Sequence, residues 1–221
     1  MTQTRWASFD CYGTLIDWDA GIRAELGRIF GELEGERLLA RYHELEPEAQ
    51  RDDPSASYRE VMATVLARLA DEEGTRLPEH DRDALGRSLP AWPAFAEVPR
   101  ALDDARRRGW RLAILSNTDR DLIDASIAGI GVPFELAVVA SEIGSYKPAR
   151  GHWETFYERT GADPSRHVHV AASVYHDVRP AAELGITAIW INRLGEASSV
   201  ARARELTDLT GLADALEELV P

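Results

Sequence analysis

The stretch Trp6-Ala7-Ser8-Phe9-Asp10-Cys11-Tyr12-Gly13-Thr14-Leu15 decides how this chain folds. Its apolar start is too short for a helix and reads as a buried strand. The strand ends in a carboxylate, and Gly13 permits the sharp turn that must follow. Working outward, the same kind of short apolar run recurs at 112–115, 137–139, 168–171 and 188–191, with helix-length amphipathic segments between the later runs. That alternation predicts an α/β fold in which a parallel sheet is covered by helices on both faces.

Between the first and second runs no convincing strand occurs. Helical patterns run instead over 22–30, 37–46 and 58–70, with a weaker one over 81–89. Pro47, Pro54, Pro78, Pro90 and Pro93 punctuate the segment where helices are expected to stop or turn. We read 16–98 as a helical cap domain inserted into a catalytic core made of 1–15 and 99–221. Pro99 reopens the core, and 100–108, ended by Gly109, places Ala101, Leu102 and Ala105 on one face for packing on the sheet.

The 221 residues are 44% hydrophobic and 29% charged, which is ordinary for a globular protein and excludes a disordered chain. Cys11 is the one cysteine, so neither an internal disulfide nor a cysteine-based zinc cluster can form, and a cytoplasmic location is expected. The apolar run after Arg5 is too brief for a signal peptide or a membrane span. A formal charge of −13 opposes a nucleic-acid partner, and any anion site must be locally cationic. His43, His80, His152, His167, His169 and His176 form no pair at ligand spacing on a helix face, so no metal and no cofactor is expected from them.

In open parallel sheets ligands bind beyond the carboxyl ends of the strands. There the chain is polar: Asp10 after the first run, Ser116-Asn117 after the second, Lys147 after the third, Ser173 and Asp177 after the fourth. A carboxylate at such an end can act as a covalent nucleophile if it stays ionised. Lys147 is the candidate to keep Asp10 charged, and Thr14 can add a hydroxyl hydrogen bond. Taken singly, Asp10 reads as a turn cap, Ser116 as a helix cap and Lys147 as a surface lysine. Their ordered combination shifts the reading to chemistry.

That order resembles the haloacid dehalogenase superfamily, whose four motifs are matched by Asp10-Cys11-Tyr12-Gly13-Thr14-Leu15, Ser116-Asn117, Lys147-Pro148 and Ser173-Val174-Tyr175-His176-Asp177. The resemblance spans essentially the whole chain and extends to the L-2-haloacid dehalogenase branch. It implies a Rossmann-like core under a helical cap, with Asp10 as nucleophile. It also implies hydrolysis of a small anionic 2-haloacid through an aspartyl ester, with Asp177 positioning or deprotonating the water. Arg41, in Arg41-Tyr42-His43-Glu44-Leu45-Glu46, resembles the stretch carrying the arginine that receives the halide. Ser116 and Asn117 would bind the substrate carboxylate or the leaving group, with Tyr12 and Ser173 beside them.

The superfamily's phosphatases carry a second aspartate two residues after the nucleophile, where this chain has Tyr12, and two carboxylates near the fourth motif, where Ser173 leaves only Asp177. Magnesium is usually held by carboxylates together with substrate phosphate, so these losses weigh against phosphoryl transfer. A magnesium-dependent phosphatase and a non-catalytic binding protein on the same fold are the alternative readings. Val174 and Trp153 stand where the dehalogenases commonly carry asparagine and tyrosine. Cys11 is expected to be a buried thiol and His176 a structural neighbour of Asp177, whereas Trp18 is placed to line a small pocket. A homodimer is compatible with all of this.

Overall fold

The structure, a computed structural model, describes residues 4–221. Strands β1 (Arg5–Phe9), β2 (Trp110–Ser116), β3 (Leu136–Val139), β4 (His167–Ala171), β5 (Thr187–Ile191) and β6 (Arg204–Leu206) form one sheet in the order β3-β2-β1-β4-β5-β6. Every pairing is parallel, with Phe9 beside both Ile114 and Val170. β1 lies in the middle, and the chain builds β2 and β3 on one side of it before returning to build β4 to β6 on the other. The crevice between β1 and β4 is thus the topological switch point at which such sheets bind ligands.

Helices α1 (Trp18–Phe30), α2 (Gly35–Asp52), α3 (Tyr58–Glu72) and α4 (Ala84–Ser88) lie between β1 and β2. The two connections to them run side by side: the Asp17 amide donates to the Pro93 carbonyl at 2.8 Å, and the Phe95 amide to Leu15 at 3.0 Å. The remaining helices, α5 (Val98–Arg107), α6 (Arg120–Ile130), α7 (Ala140–Ile143), α8 (Gly151–Thr160), α9 (Arg179–Glu183) and α10 (Leu212–Leu219), flank the sheet. Strand alternation divides β1 between two cores. Ala7 and Phe9 pack in the larger core with Leu102 and Leu122, whereas Trp6 packs in the smaller one with Trp153, Phe156 and Ala181.

Two expectations are corrected. The sheet has a sixth strand at its edge, β6, where Arg204 and Glu205 are exposed, so no apolar run announces it. Pro47 does not stop a helix but lies inside α2. It forfeits the bond to the His43 carbonyl one turn back, at a point where His43, Glu46 and Pro47 border a cavity. Among the described residues, no helix is long and apolar enough to cross a membrane.

Candidate active site

Asp10 follows β1 and is anchored by its own amide, which donates to Val170 on β4 at 3.1 Å. The next turn folds around the Cys11 carbonyl, which accepts from the amides of Thr14, Leu15 and Ile16, and Gly13 supplies the required positive φ of 83°. This turn carries Thr14 back under the carboxylate. Its hydroxyl donates to Asp10 Oδ2 at 2.8 Å and accepts the Ala172 amide at 2.9 Å. Cys11 itself is buried, and burial followed by the Asp10 charge pushes its thiol well above the usual range.

Lys147 is 1% exposed, and its ammonium spends all three protons. Nζ donates to Asp10 Oδ1 at 2.9 Å, to Asp177 Oδ1 at 2.6 Å and to the Leu115 carbonyl at 2.8 Å. Burial lowers the lysine's pKa, but the two carboxylates more than offset it and hold it above the ordinary value. Asp177 likewise resists burial: Lys147, with help from His169, holds its carboxyl well below the usual carboxylate range. Asp177 Oδ2 is buried and has no hydrogen-bond partner. The site is therefore two carboxylates facing each other across one ammonium.

These groups open into a cavity of about 220 Å³, also bordered by Tyr12, Trp18, Tyr58, Ser116, Asn117, Ser173 and His176. Ser116 Oγ is buried without a partner and free to bind a ligand. Asn117 is not: its carboxamide donates to the Lys147 carbonyl at 2.9 Å and accepts the Lys147 amide at 2.6 Å, so it positions the lysine's backbone. Tyr12 presents its ring, stacked on Tyr58, while its hydroxyl meets Ser126 at 3.2 Å. Ser173 caps the turn that carries Asp177, accepting the His176 amide at 3.0 Å.

Arg41 is not brought to this cavity. Its guanidinium is bound at the surface by Glu72, at 2.7 and 2.9 Å, and by Glu44, at 2.6 Å. The α2 residues that do border the cavity are His43, Glu46 and Pro47, none of which the sequence reading places at the site. His176, read as structural, also lines it, with its pKa lowered by burial. Trp18 borders it as expected and stacks on His43 with ring centroids 4.9 Å apart. Trp153 lies elsewhere, edge-on to His169 in the smaller core.

Residues 4–185 match the model of the haloacid dehalogenase-like hydrolases. The chain belongs to that family. It is 28% identical over 203 residues to an (S)-2-haloacid dehalogenase of Pseudomonas sp. (strain YL), covering 88% of this chain and 85% of the relative. A phosphoserine phosphatase of Thermus thermophilus is 32% identical over 131 residues, covering 57% of this chain and 53% of the relative. The fold is shared with the L-2-haloacid dehalogenase of Xanthobacter autotrophicus with chloropropionic acid covalently bound. The TM-score is 0.84 at 18% identity, over 97% of this chain and 99% of that one.

Haloacid dehalogenase-like hydrolases that transfer phosphate use magnesium, and the residues here do not fit it. Magnesium wants about six oxygens in an octahedron. Here the oxygens of Asp10 and Asp177 that face each other are both taken by Lys147, and Tyr12 and Ser173 add no carboxylate. Among the described residues, no three His, Cys, Asp or Glu side chains are grouped to hold a metal. No step below is routed through one.

Proposed function

We propose that this family member hydrolyses a small 2-haloacid to the 2-hydroxy acid and halide through an ester on Asp10. The observation that carries this reading is the pair of contacts by which the Lys147 ammonium joins Asp10 and Asp177, at 2.9 and 2.6 Å. A carboxylate bonded by a buried ammonium, with a tyrosine and not a second carboxylic acid two residues on, suits displacement of a leaving group that needs no proton. The relative matched over most of the chain, named an (S)-2-haloacid dehalogenase, points the same way, whereas the phosphoserine phosphatase is matched over only 57% of it.

In this reading an Asp10 oxygen attacks the carbon bearing the halogen, the carbon–halogen bond breaks, and halide departs with the electron pair. Lys147 and Thr14 orient the carboxylate, and the Ser116 hydroxyl donates to the substrate carboxylate. Asp177 Oδ2 then accepts a proton from water, whose oxygen attacks the ester carbonyl carbon of Asp10. The alkoxide leaves and takes that proton, and the regenerated Asp10 acid loses its own to solvent. Arg41 takes no part. Residues 16–98 act as a cap that closes the cavity over the core of 1–15 and 99–221, and the enzyme works in the cytoplasm.

Halide release from chloroacetate or 2-chloropropionate in EDTA, set against hydrolysis of a phosphate ester with magnesium, tests the reading. Halide release without phosphatase activity is expected. Asp10→Asn should abolish turnover, and oxygen-18 from labelled water should enter Asp10 over repeated cycles. Phosphate release that depends on magnesium, with no halide, would sink the proposal.

A further inference from the structure

Behind Asp177, on the sheet face away from Phe9, lies a buried polar chain that the mechanism above does not use. His169 Nε2 lies 3.0 Å from Asp177 Oδ1, and His169 Nδ1 lies 2.7 Å from Ser8 Oγ. Ser8 Oγ is also 2.7 Å from His167 Nε2, and His167 Nδ1 is 2.8 Å from the Tyr157 hydroxyl. Ser8, His167 and His169 are each 0% exposed, so no solvent relieves a wrongly assigned proton.

With both rings neutral, one arrangement satisfies every contact. Ionised Asp177 can only accept, so His169 carries its proton on Nε2. His169 Nδ1 then accepts from the Ser8 hydroxyl, Ser8 accepts from His167 Nε2, and His167 Nδ1 accepts from Tyr157. All four hydrogens point toward Asp177. Neutral His167 agrees with this, since burial pushes its pKa down to about 3. Trp153 packs edge-on against His169, with centroids 5.5 Å apart, and holds the ring's plane.

We propose that His169 is a positioning residue for Asp177, locked as the Nε2–H tautomer by the Tyr157–His167–Ser8 chain so that the free Oδ2 is aimed at the hydrolytic water. The inference rests on the function proposed above for its catalytic consequence, but not for its tautomer. His169 touches Asp177 and not Asp10, whose partners are Lys147 and Thr14. Loss of the imidazole therefore slows ester hydrolysis and spares ester formation.

Two measurements decide it. Nitrogen-15 spectra of histidine-labelled protein, assigned with His167→Gln and His169→Gln, should show both rings as neutral Nε2–H tautomers near pH 7. A Nδ1–H tautomer or a doubly protonated His169 would overturn the inference, whatever the substrate. In rapid-quench assays His169→Leu should release one halide per site in a burst and then turn over about a hundredfold more slowly, the scale of loss set by a misplacement of about 1 Å. Mass spectrometry should find the substrate's carboxyalkyl group esterified to Asp10, and His169→Gln, whose amide can still donate to Asp177, should restore part of the second phase. Equal loss of burst and turnover would overturn it, whereas failure of the unsubstituted protein to release halide would count against the proposed function and leave the tautomer measurement standing as the test.

Discussion

At the scale of single residues, Glu46 is the side chain whose chemistry is least expected. It is 6% exposed, its carboxylate is bonded by Gln50, and it borders the cavity that holds Asp10. Tyr42 on its own helix, Tyr58 on α3 and Tyr146 before the motif lysine feel its charge, and Lys147, Asp10, His176 and Asp177 share its cavity. Burial pushes its pKa up to about 7, against a small opposing effect of His43. The sign follows directly: below about pH 7 the side chain is neutral and does not oppose an anionic substrate, and above it the carboxylate repels one. KM for a haloacid should therefore rise as pH passes 7, by about fivefold for a repulsion of about 1 kcal/mol. Glu46→Gln should flatten that limb, and an unchanged KM profile would refute the assignment. Stability follows the same linkage. A raised carboxyl pKa contributes fully below the ordinary value near 4.5 and loses its contribution as pH rises through 7, so Glu46→Gln should gain on the parent protein at pH 8 in urea titrations. The sequence hid this residue for a geometric reason. Arg41 sits in the local context that resembles a halide-receiving helix, but His43, Glu46 and Pro47 share a face at helical spacing, and a residue two positions before His43 points about 200° away.

At the scale of elements, the helices between β1 and β2 are tied to the core by a cap that comes from outside their own sequence. Asp119, just before α6, accepts the Tyr58 amide at 3.0 Å and the Arg59 amide at 3.1 Å, satisfying two of the free donors at the start of α3. Ser57 and Glu60 complete a capping box at the same turn. Asp119→Ala should cost about 1–2 kcal/mol in equilibrium unfolding, in the range of lost N-caps, and a cost indistinguishable from zero would show that the contact carries no weight. The capping box can be read from its short-range pattern, whereas the contribution of Asp119 joins positions about sixty apart and leaves no local signal. The same contrast runs through the sheet. Strands β1, β2, β4 and β5 are legible because both faces are buried and their runs are apolar. β6 is not, because Arg204 and Glu205 stay in solvent at an edge. β4 is legible as a strand yet conceals the polar chain: in His167-Val168-His169 the alternation is visible, but the partners Ser8 and Tyr157 lie on other elements.

At the scale of the whole molecule, net charge and site chemistry pull against each other. The chain carries −13, and the proposed substrate is an anion. No unpaired cation lining the Asp10 cavity or the one that adjoins it reverses this among the described residues. Lys147 is neutralised by Asp10 and Asp177. A second cavity of about 340 Å³ shares Tyr12, Trp18, His43 and Ser173 with the first, and its arginines are matched as well: Arg193 with Glu97 at 2.7 Å and Arg23 with Glu36 at 2.6 Å. An approaching haloacid therefore meets a field of its own sign until counter-ions screen it, over about 10 Å at 0.1 M salt and about 30 Å at 0.01 M. The expected outcome is that kcat/KM for 2-chloropropionate rises severalfold between 0.01 and 0.1 M ionic strength and then levels. kcat, measured once the substrate is bound, should change little, because the buried pairs around Lys147 are shielded from the salt. The salt should be sodium sulfate, so that added halide does not act as product. A kcat/KM that falls over the same range would mean that an attractive cationic path leads to Asp10 after all, and the guanidiniums of Arg23 and Arg193 would be the first groups to replace by Gln.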